Sequence, residues 1–169
     1  MKKDRGHNYW VWSEPIMDID NVKLIQNAIN ERYVFFEPKD NGAKDKHGNY
    51  LKNIKPKVVM LRDINQEIGW VIDLAYKICH TQFGYMTFPP NIFNELLYNE
   101  YSSDIKGRYG KHHDSSDSDT YDVKMTFLLN LSDEPYEGGD FIVSEEVTNF
   151  RKPGSALLFK SHILHEVTP

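Results

Sequence analysis

The stretch "KPGSALLFKSHILHEVTP", Lys152 to Pro169, is a β-prone apolar run punctuated by Gly, Pro, Ser and His. Three runs upstream have the same character, namely "NELLYNEYSS", "VKMTFLLNLS" and "GDFIVSEE". Short runs of this kind, separated by clusters of Gly, Pro, Asp and Ser, are typical of antiparallel sheets. The C-terminal part of the chain is therefore predicted to be a sandwich or barrel of strands.

The N-terminal part is predicted to be helical. In "DIDNVKLIQNAINERY", apolar residues recur at helical spacing behind two candidate caps, Asp18 and Asp20. "QEIGWVIDLAYKICH" repeats the pattern. The predicted buried positions are Val22, Ile25, Ala28 and Ile29 in the first helix and Ile68, Val71, Ile72, Ala75 and Ile78 in the second. Helices followed by strands predict an α+β fold in which the helices buttress the strands.

A polar segment from Glu37 to Lys57 separates the two helices and lacks any periodicity. It contains Gly42, Gly48 and two prolines, which predicts a long loop. Its lysines are most simply a solvated face, and the alternative is a lid that closes over a substrate.

Composition limits the classes of function. The 169 residues, 40% hydrophobic, are enough for one domain with a real core. The net charge of −5, from 25 acidic and 20 basic residues, argues against nucleic acid and anionic membranes as partners. Cys79 is the only cysteine, which excludes an intrachain disulfide. With no apolar run of signal-peptide or membrane-spanning length, we expect a soluble, cytoplasmic protein.

The stretch "YGKHHDSSDSD", Tyr109 to Asp119, contains two histidines and three aspartates. If the segment around His112 is extended, His112 and Asp114 point to one side and His113 points to the other. A third metal ligand would have to come from another strand, and His162 and His165 are the candidates. Two histidines and one carboxylate leave three coordination positions open, as in non-haem Fe(II) oxygenases.

The same stretch has simpler interpretations. A calcium loop of the EF-hand type needs Gly at position six and Glu at position twelve, where counting from Asp114 finds Asp119 and Met125. A surface turn explains the segment from Ser115 to Asp119. A bare His-x-Asp is also frequent by chance, so the wider context decides.

That context is a resemblance over Asn94 to Pro169. Its four features are His-x-Asp preceded three positions earlier by Tyr109, a strand ending "LLN", the "YEGGDF" turn, and "LHEVTP" after an apolar strand. Together they resemble the catalytic core of the Fe(II)/2-oxoglutarate-dependent dioxygenases, specifically the prolyl 4-hydroxylase-like branch. The resemblance implies a double-stranded β-helix, the cupin-like jelly roll. The chain would then be one domain, with helical support and a loop in residues 1–90 and the catalytic core in residues 91–169.

The resemblance also implies the site. The family's iron ligands fall on His112, Asp114 and His165, with His165 favoured over His162 because it immediately precedes "EVTP". Tyr101 falls where the family often places a tyrosine on the co-substrate, and packing is the rival role. The "YEGGDF" turn is predicted to be structural. The remaining histidines are predicted to be ordinary surface or packing residues: His7, His47, His80, His113 and His162.

The implied chemistry is oxidative and uses Fe(II), 2-oxoglutarate and O₂, with ascorbate as a further expected cofactor. Decarboxylation of 2-oxoglutarate to succinate would be coupled to hydroxylation of a C–H bond, predicted to be that of a prolyl residue in a peptide or protein. The intact carboxylate of Asp114 favours hydroxylation over halogenation. The alternatives are a hydroxylase of free amino acids or other small molecules, and a non-catalytic metal-binding jelly-roll module. The motifs do not define the oligomeric state.

One departure from the family pattern concerns the co-substrate. Relatives usually carry Arg or Lys on the strand after the distal histidine, whereas here Pro169 lies four residues after His165. The expectation is a truncated form that lacks its last strand. Alternatively Lys124 substitutes as the cation, because it shares a strand face with Thr126 and Leu128. A solvent-facing role for Lys124 competes with that substitution.

Overall fold

The computed structural model describes residues 8–34, 57–61, 65–86, 96–114 and 123–169. Its elements along the chain are β1 (Tyr9–Val11), α1 (Ile19–Arg32), β2 (Lys57–Leu61), α2 (Asn65–Ile78), β3 (Leu96–Glu100), β4 (Tyr109–His112), β5 (Met125–Leu129), β6 (Phe141–Val143), β7 (Glu146–Val147), β8 (Ala156–Lys160) and β9 (His165–Val167). Two helices and antiparallel sheets confirm the α+β class. The predicted loop up to residue 56, the turn from Ser115 to Asp119, His7 and His47 lie outside the described residues.

The helix α1 follows directly from its sequence. Asp18 is the N-cap, and its Oδ1 accepts a hydrogen bond of 2.9 Å from the backbone N–H of Asn21. The buried residues of α1 are the four predicted from the period: Val22, Ile25, Ala28 and Ile29. In α2, Ile68, Val71 and Ile78 are buried, while Ile72 and Ala75 are half-buried. Helix α2 continues into one π-helical turn, Cys79–Phe83, which ends at Gly84 in the left-handed region.

The described strands form three antiparallel sheets. A three-stranded sheet has the order β1-β8-β5, a four-stranded sheet has the order β4-β9-β6-β7, and β2 pairs with β3. The strands β1 and β2 correct the prediction of helices first and strands afterwards. The strand β1 is too short for its pattern to be recognised, and its partner β8 lies almost 150 residues away. The strand β2 begins at Lys57, the last residue of the predicted loop.

The three-stranded sheet lies between the helices and the four-stranded sheet. On one face, Phe127 and Leu129 of β5 pack with the buried apolar residues of α1 and α2. On the other face, Leu157 and Phe159 of β8 join a buried cluster with Val143 and other residues of the four-stranded sheet. Because side chains alternate along a strand, Thr126 and Leu128 lie on the face toward the four-stranded sheet.

The "YEGGDF" segment forms a tight turn that only glycine fits. Gly138 has φ +74° and Gly139 has φ +58°, both in the left-handed region. A Cβ built on Gly138 would lie 2.7 Å from the carbonyl oxygen of Pro169, and the N–H of Gly139 donates to that same oxygen. The turn therefore ties the start of β6 to the segment that follows β9, which supports the predicted structural role.

The described residues do not test two further predictions. Among the described strands, β5 pairs with β8 alone, so the predicted jelly roll and the predicted lack of its last strand remain predictions. The division into a supporting part and a catalytic part of a single domain remains a prediction as well. Neither described helix is long and apolar enough to cross a membrane.

Candidate metal site

The candidate site lies where β4 and β9 meet. His112 is the last residue of β4 and His165 is the first residue of β9, and the antiparallel register places them opposite each other. Asp114 follows two residues after His112, and its backbone N–H donates a 2.9 Å hydrogen bond to the carbonyl of Ser161. Strand pairing thus brings together two histidines more than 50 residues apart in sequence.

The three side chains converge on one point. The Nε2 atom of His112 lies 3.4 Å from Oδ1 of Asp114, and the Nε2 atom of His165 lies 3.3 Å from the same oxygen. The ligand atoms of the three residues all lie within 4.8 Å of one another. The structure therefore brings together the three predicted ligands in a group that fits iron binding.

Backbone carbonyls orient both imidazoles. Nδ1 of His112 donates to the carbonyl oxygen of Gly110 at 2.8 Å, and Nδ1 of His165 donates to that of Ile163 at 2.9 Å. A neutral imidazole whose Nδ1 carries the proton presents a lone pair at Nε2. Both Nε2 lone pairs then face a carboxylate oxygen, an arrangement that calls for a proton or a metal cation between them.

The three side chains of the site differ in burial, since His112 and Asp114 are half-buried and His165 is buried. His165 is only 4% exposed and packs against the rings of Phe159 and Phe141, with centroid distances of 4.6 and 5.6 Å. Burial alone would raise the pKa of Asp114, but the adjacent imidazoles of His112 and His165 and the hydroxyl of Thr126 hold it far below its usual range. Asp114 is therefore ionised at neutral pH.

Two tyrosines adjoin this carboxylate. Burial, together with the nearby Tyr109 and Asp114, raises the pKa of Tyr101 well above its usual value. Burial and Asp114 raise the pKa of Tyr109 as well, and its ring lies 4.0 Å from the ring of His112. Both phenols therefore stay protonated at neutral pH.

The other predicted positions lie apart from the three converging side chains. His113, His162 and His80 are exposed. Lys124 is also exposed, and its carbonyl accepts the backbone N–H of Ser161 at 3.0 Å. The sequence interpretation missed Thr126 and Ser161 as neighbours of the site, although a short polar residue within the apolar run of β5 is a signal worth following.

Comparisons with known proteins agree with this geometry. The sequence profile of the 2OG-Fe(II) oxygenase superfamily matches residues 96–169. Among solved structures, the crystal structure of a Pseudomonas putida prolyl-4-hydroxylase superposes with a TM-score of 0.61 at 14% identity, covering 96% of this chain and 85% of that one. No match is found among curated proteins.

The profile match and the shared fold come from independent comparisons, one of sequence and one of structure. The superfamily implies Fe(II), 2-oxoglutarate and O₂, and the two imidazoles and one carboxylate of the site are the donors that such an iron takes. The predicted resemblance is thus confirmed: the chain is similar in sequence to the 2OG-Fe(II) oxygenases over residues 96–169 and similar in fold to a prolyl-4-hydroxylase.

Proposed function

We propose that this protein is an Fe(II)- and 2-oxoglutarate-dependent dioxygenase that hydroxylates a C–H bond and converts 2-oxoglutarate to succinate. The observation that carries the proposal is the convergence of two Nε2 atoms and one carboxylate oxygen, with both Nδ1 atoms already hydrogen-bonded. Three protein ligands leave the other positions of an octahedral ion for the co-substrate and O₂. The proposal includes a jelly-roll core within a single domain.

In this proposal His112, Asp114 and His165 hold the iron, which when bound supplies the activation of O₂ coupled to decarboxylation. The protein orients the ligands and limits access of water. The carbonyls of Gly110 and Ile163 fix both imidazole rings, and the aromatic rings beside His165 shield it from solvent.

The co-substrate is proposed to contact Tyr101 and Lys124. The raised pKa of Tyr101 keeps its hydroxyl a donor near the charged carboxylate, which suits binding of an anionic co-substrate. Lys124 adjoins β5, on the face that Thr126 presents to the site. Ascorbate remains a prediction for which the site offers no specific contact.

The proposed substrate is a prolyl residue in a peptide or protein. Support comes from the similarity in fold to a prolyl-4-hydroxylase and from the sequence motifs. Proline-containing peptides are favourable ligands because their polyproline II tendency lowers the entropy lost on binding. Fold alone does not define a substrate, so a free amino acid or another small molecule is the second candidate.

The first experiment measures metal binding and turnover together. Bound metal is first removed, because Zn²⁺ would otherwise outcompete Fe(II). The metal-free protein is then loaded with Fe(II) under anaerobic conditions, which prevent its oxidation to Fe(III). It is then supplied with 2-oxoglutarate and O₂ while succinate is quantified. We expect succinate from the wild type and from His162→Ala, and none from Asp114→Ala. A wild type that binds Fe(II) without releasing succinate, with or without substrate, would instead support a non-catalytic metal-binding module.

The second experiment identifies the substrate. Proline-rich peptides and free amino acids are incubated separately with the loaded enzyme under ¹⁸O₂. We expect one labelled oxygen, localised to proline by tandem mass spectrometry. Oxidation of a free amino acid with every peptide unchanged would contradict the prolyl assignment and leave the dioxygenase assignment intact.

A further inference from the structure

The two oxygens of Asp114 have different partners. Oδ1 faces the Nε2 atoms of His112 and His165, whereas Oδ2 accepts a 2.7 Å hydrogen bond from the hydroxyl of Thr126. Thr126 lies on β5, in the three-stranded sheet, and both histidines lie on β4 and β9 of the four-stranded sheet. Thr126 therefore holds the carboxylate from the opposite sheet in the rotation that directs Oδ1 alone toward the histidines.

A second hydroxyl completes a short chain of hydrogen bonds. The Oγ atoms of Thr126 and Ser161 lie 3.1 Å apart. Because an ionised carboxylate only accepts, the single hydroxyl proton of Thr126 points to Asp114, and Ser161 must donate to Thr126. The donation from Ser161 polarises the Thr126 hydroxyl and strengthens its bond to the carboxylate. Ser161 is fully buried, so water does not compete for this bond.

Backbone hydrogen bonds reinforce the same connection. The N–H of Asp114 donates to the carbonyl of Ser161 at 2.9 Å, and the N–H of Ser161 donates to the carbonyl of Lys124 at 3.0 Å. Asp114 is thus attached to the three-stranded sheet through both its backbone and its side chain. Since the backbone bonds survive changes to either side chain, the contribution of the two hydroxyls can be measured separately.

Resting on the function proposed above, we propose that Thr126 and Ser161 are positioning residues that keep Asp114 a one-oxygen ligand. A carboxylate with both oxygens free can take two coordination positions instead of one. In a six-coordinate ion, three protein donors leave room for a bidentate co-substrate and O₂, and a fourth protein donor removes one of those positions. The Thr126 hydroxyl occupies Oδ2 and so preserves that position.

The test compares variants that differ by a single hydroxyl. Thr126→Val keeps the shape and removes the donor, Thr126→Ser retains it, and Ser161→Ala removes only the second donor. Thr148→Val is the control, because Thr148 is a buried threonine that donates its hydroxyl to the carbonyl of Phe141 at 2.7 Å, away from Asp114. The measurements are Co²⁺ affinity, the visible spectrum of the Co²⁺ complex, 2-oxoglutarate affinity and the melting temperature of the metal-free protein.

We expect Thr126→Val to weaken Co²⁺ binding by about 10- to 100-fold, the usual effect of losing a partner of a metal ligand. Its spectrum should change, and 2-oxoglutarate should bind the Co²⁺ form more weakly. Ser161→Ala should have a smaller effect in the same direction, and Thr126→Ser should restore wild-type values. Thr148→Val should lower the melting temperature and leave affinity and spectrum unchanged.

The outcomes separate this inference from the proposed function. Wild-type affinity and spectrum in Thr126→Val would overturn the positioning role while the metal site stands. A wild type that binds no Co²⁺ would overturn the metal site itself. An equal loss of affinity in Thr148→Val would show that general destabilisation is responsible. If Thr126→Val fails to fold, the decision rests on Ser161→Ala. A Co²⁺ spectrum of Ser161→Ala identical to that of Thr126→Ser, which keeps both hydroxyls, would contradict the proposed chain of donors.

Discussion

Two polar clusters of this molecule arrange their hydrogen-bond donors and acceptors in opposite ways. In the first, the turn network around "YEGGDF", Asn130 donates to the hydroxyl of Tyr136 and to the carbonyl of Phe150, while its own oxygen accepts the N–H of Ser132. Arg151 donates twice to Asp140, at 2.9 and 2.6 Å. Each of these bonds pairs a donor with an acceptor.

The second cluster is the metal site, where acceptors face one another. The outer atoms of His112, Asp114 and His165 are each matched, by Gly110, Thr126 and Ile163 respectively. Their inner atoms, two Nε2 atoms and one carboxylate oxygen, converge on one point. When both imidazoles are neutral and carry the proton on Nδ1, none of these three atoms can donate a hydrogen bond. Matched donors and acceptors stabilise a fold, whereas converging acceptors create a demand for a cation. The comparison yields four predictions, each of which tests either the turn network or the metal site and its surroundings.

The largest effect is expected from the converging acceptors. Replacing His165 or Asp114 with Ala should weaken metal binding by more than about 100-fold, beyond the loss typical of outer partners. Metal at a hundred times its dissociation constant should stabilise the wild type by about 2.7 kcal/mol. That corresponds to a rise in melting temperature of roughly 5–11 °C for a chain of this size, which both variants should lack.

Two exposed histidines provide the control for that experiment. His113→Ala and His162→Ala should retain both metal affinity and the shift in melting temperature. The assignment of the site would be wrong if His162→Ala lost the metal and His165→Ala kept it.

The turn network should respond in stability alone. Asn130 is 6% exposed and makes three hydrogen bonds, so Asn130→Ala should lower the free energy of unfolding by about 2–4 kcal/mol. Chemical denaturation measures this loss, and metal affinity of the folded protein should be unchanged. The exposed Asn21 is the control, since Asn21→Ala should stay within about 0.5 kcal/mol of the wild type. A loss of metal affinity in Asn130→Ala would show that the two clusters are coupled.

A glycine pair tests the backbone of the same network. Gly138→Ala should cost about 1–3 kcal/mol, because the residue is in the left-handed region and the new Cβ meets the carbonyl of Pro169. Gly69, inside α2, has no atom within 4 Å of a built Cβ. Gly69→Ala should therefore stabilise the protein by about 0.5–1 kcal/mol. Equal effects at both positions in thermal unfolding would contradict the structural role of the turn.

The two clusters also differ in how far the sequence predicts them. The period of "DIDNVKLIQNAINERY" predicts α1, its cap and its buried face, because these depend on local spacing. The His-x-Asp spacing similarly predicts that His112 and Asp114 share a side. The distal histidine came from the family resemblance, since residue alternation alone left His162 and His165 open.

What the sequence did not predict depends on contacts between distant strands. The three residues of β1 become a strand only by pairing with β8. The contact of Thr126 with Asp114 requires two sheets to face each other, and Ser161 joins it through a turn after β8. A polar residue within an apolar strand marks Thr126 as unusual, but residue type and spacing do not reveal which strands face each other, so the two contacts are visible only in the structure.

The smallest effect is expected at Lys124, the predicted substitute anchor for 2-oxoglutarate. Lys124 is exposed, and an ion pair in contact with water contributes about 0–1 kcal/mol rather than the larger value of a desolvated pair. Lys124→Met should therefore raise the dissociation constant of 2-oxoglutarate by no more than about fivefold, and salt should screen the difference. Lys111→Met, at another exposed lysine, in β4, is the control.

Calorimetric titration of the metal-loaded protein with 2-oxoglutarate at low and high salt measures both variants. A loss above tenfold that persists in high salt would show that Lys124 closes over the co-substrate and becomes buried. No difference between the two lysine variants would show instead that Lys124 is a solvated side chain and that Tyr101 acts without it.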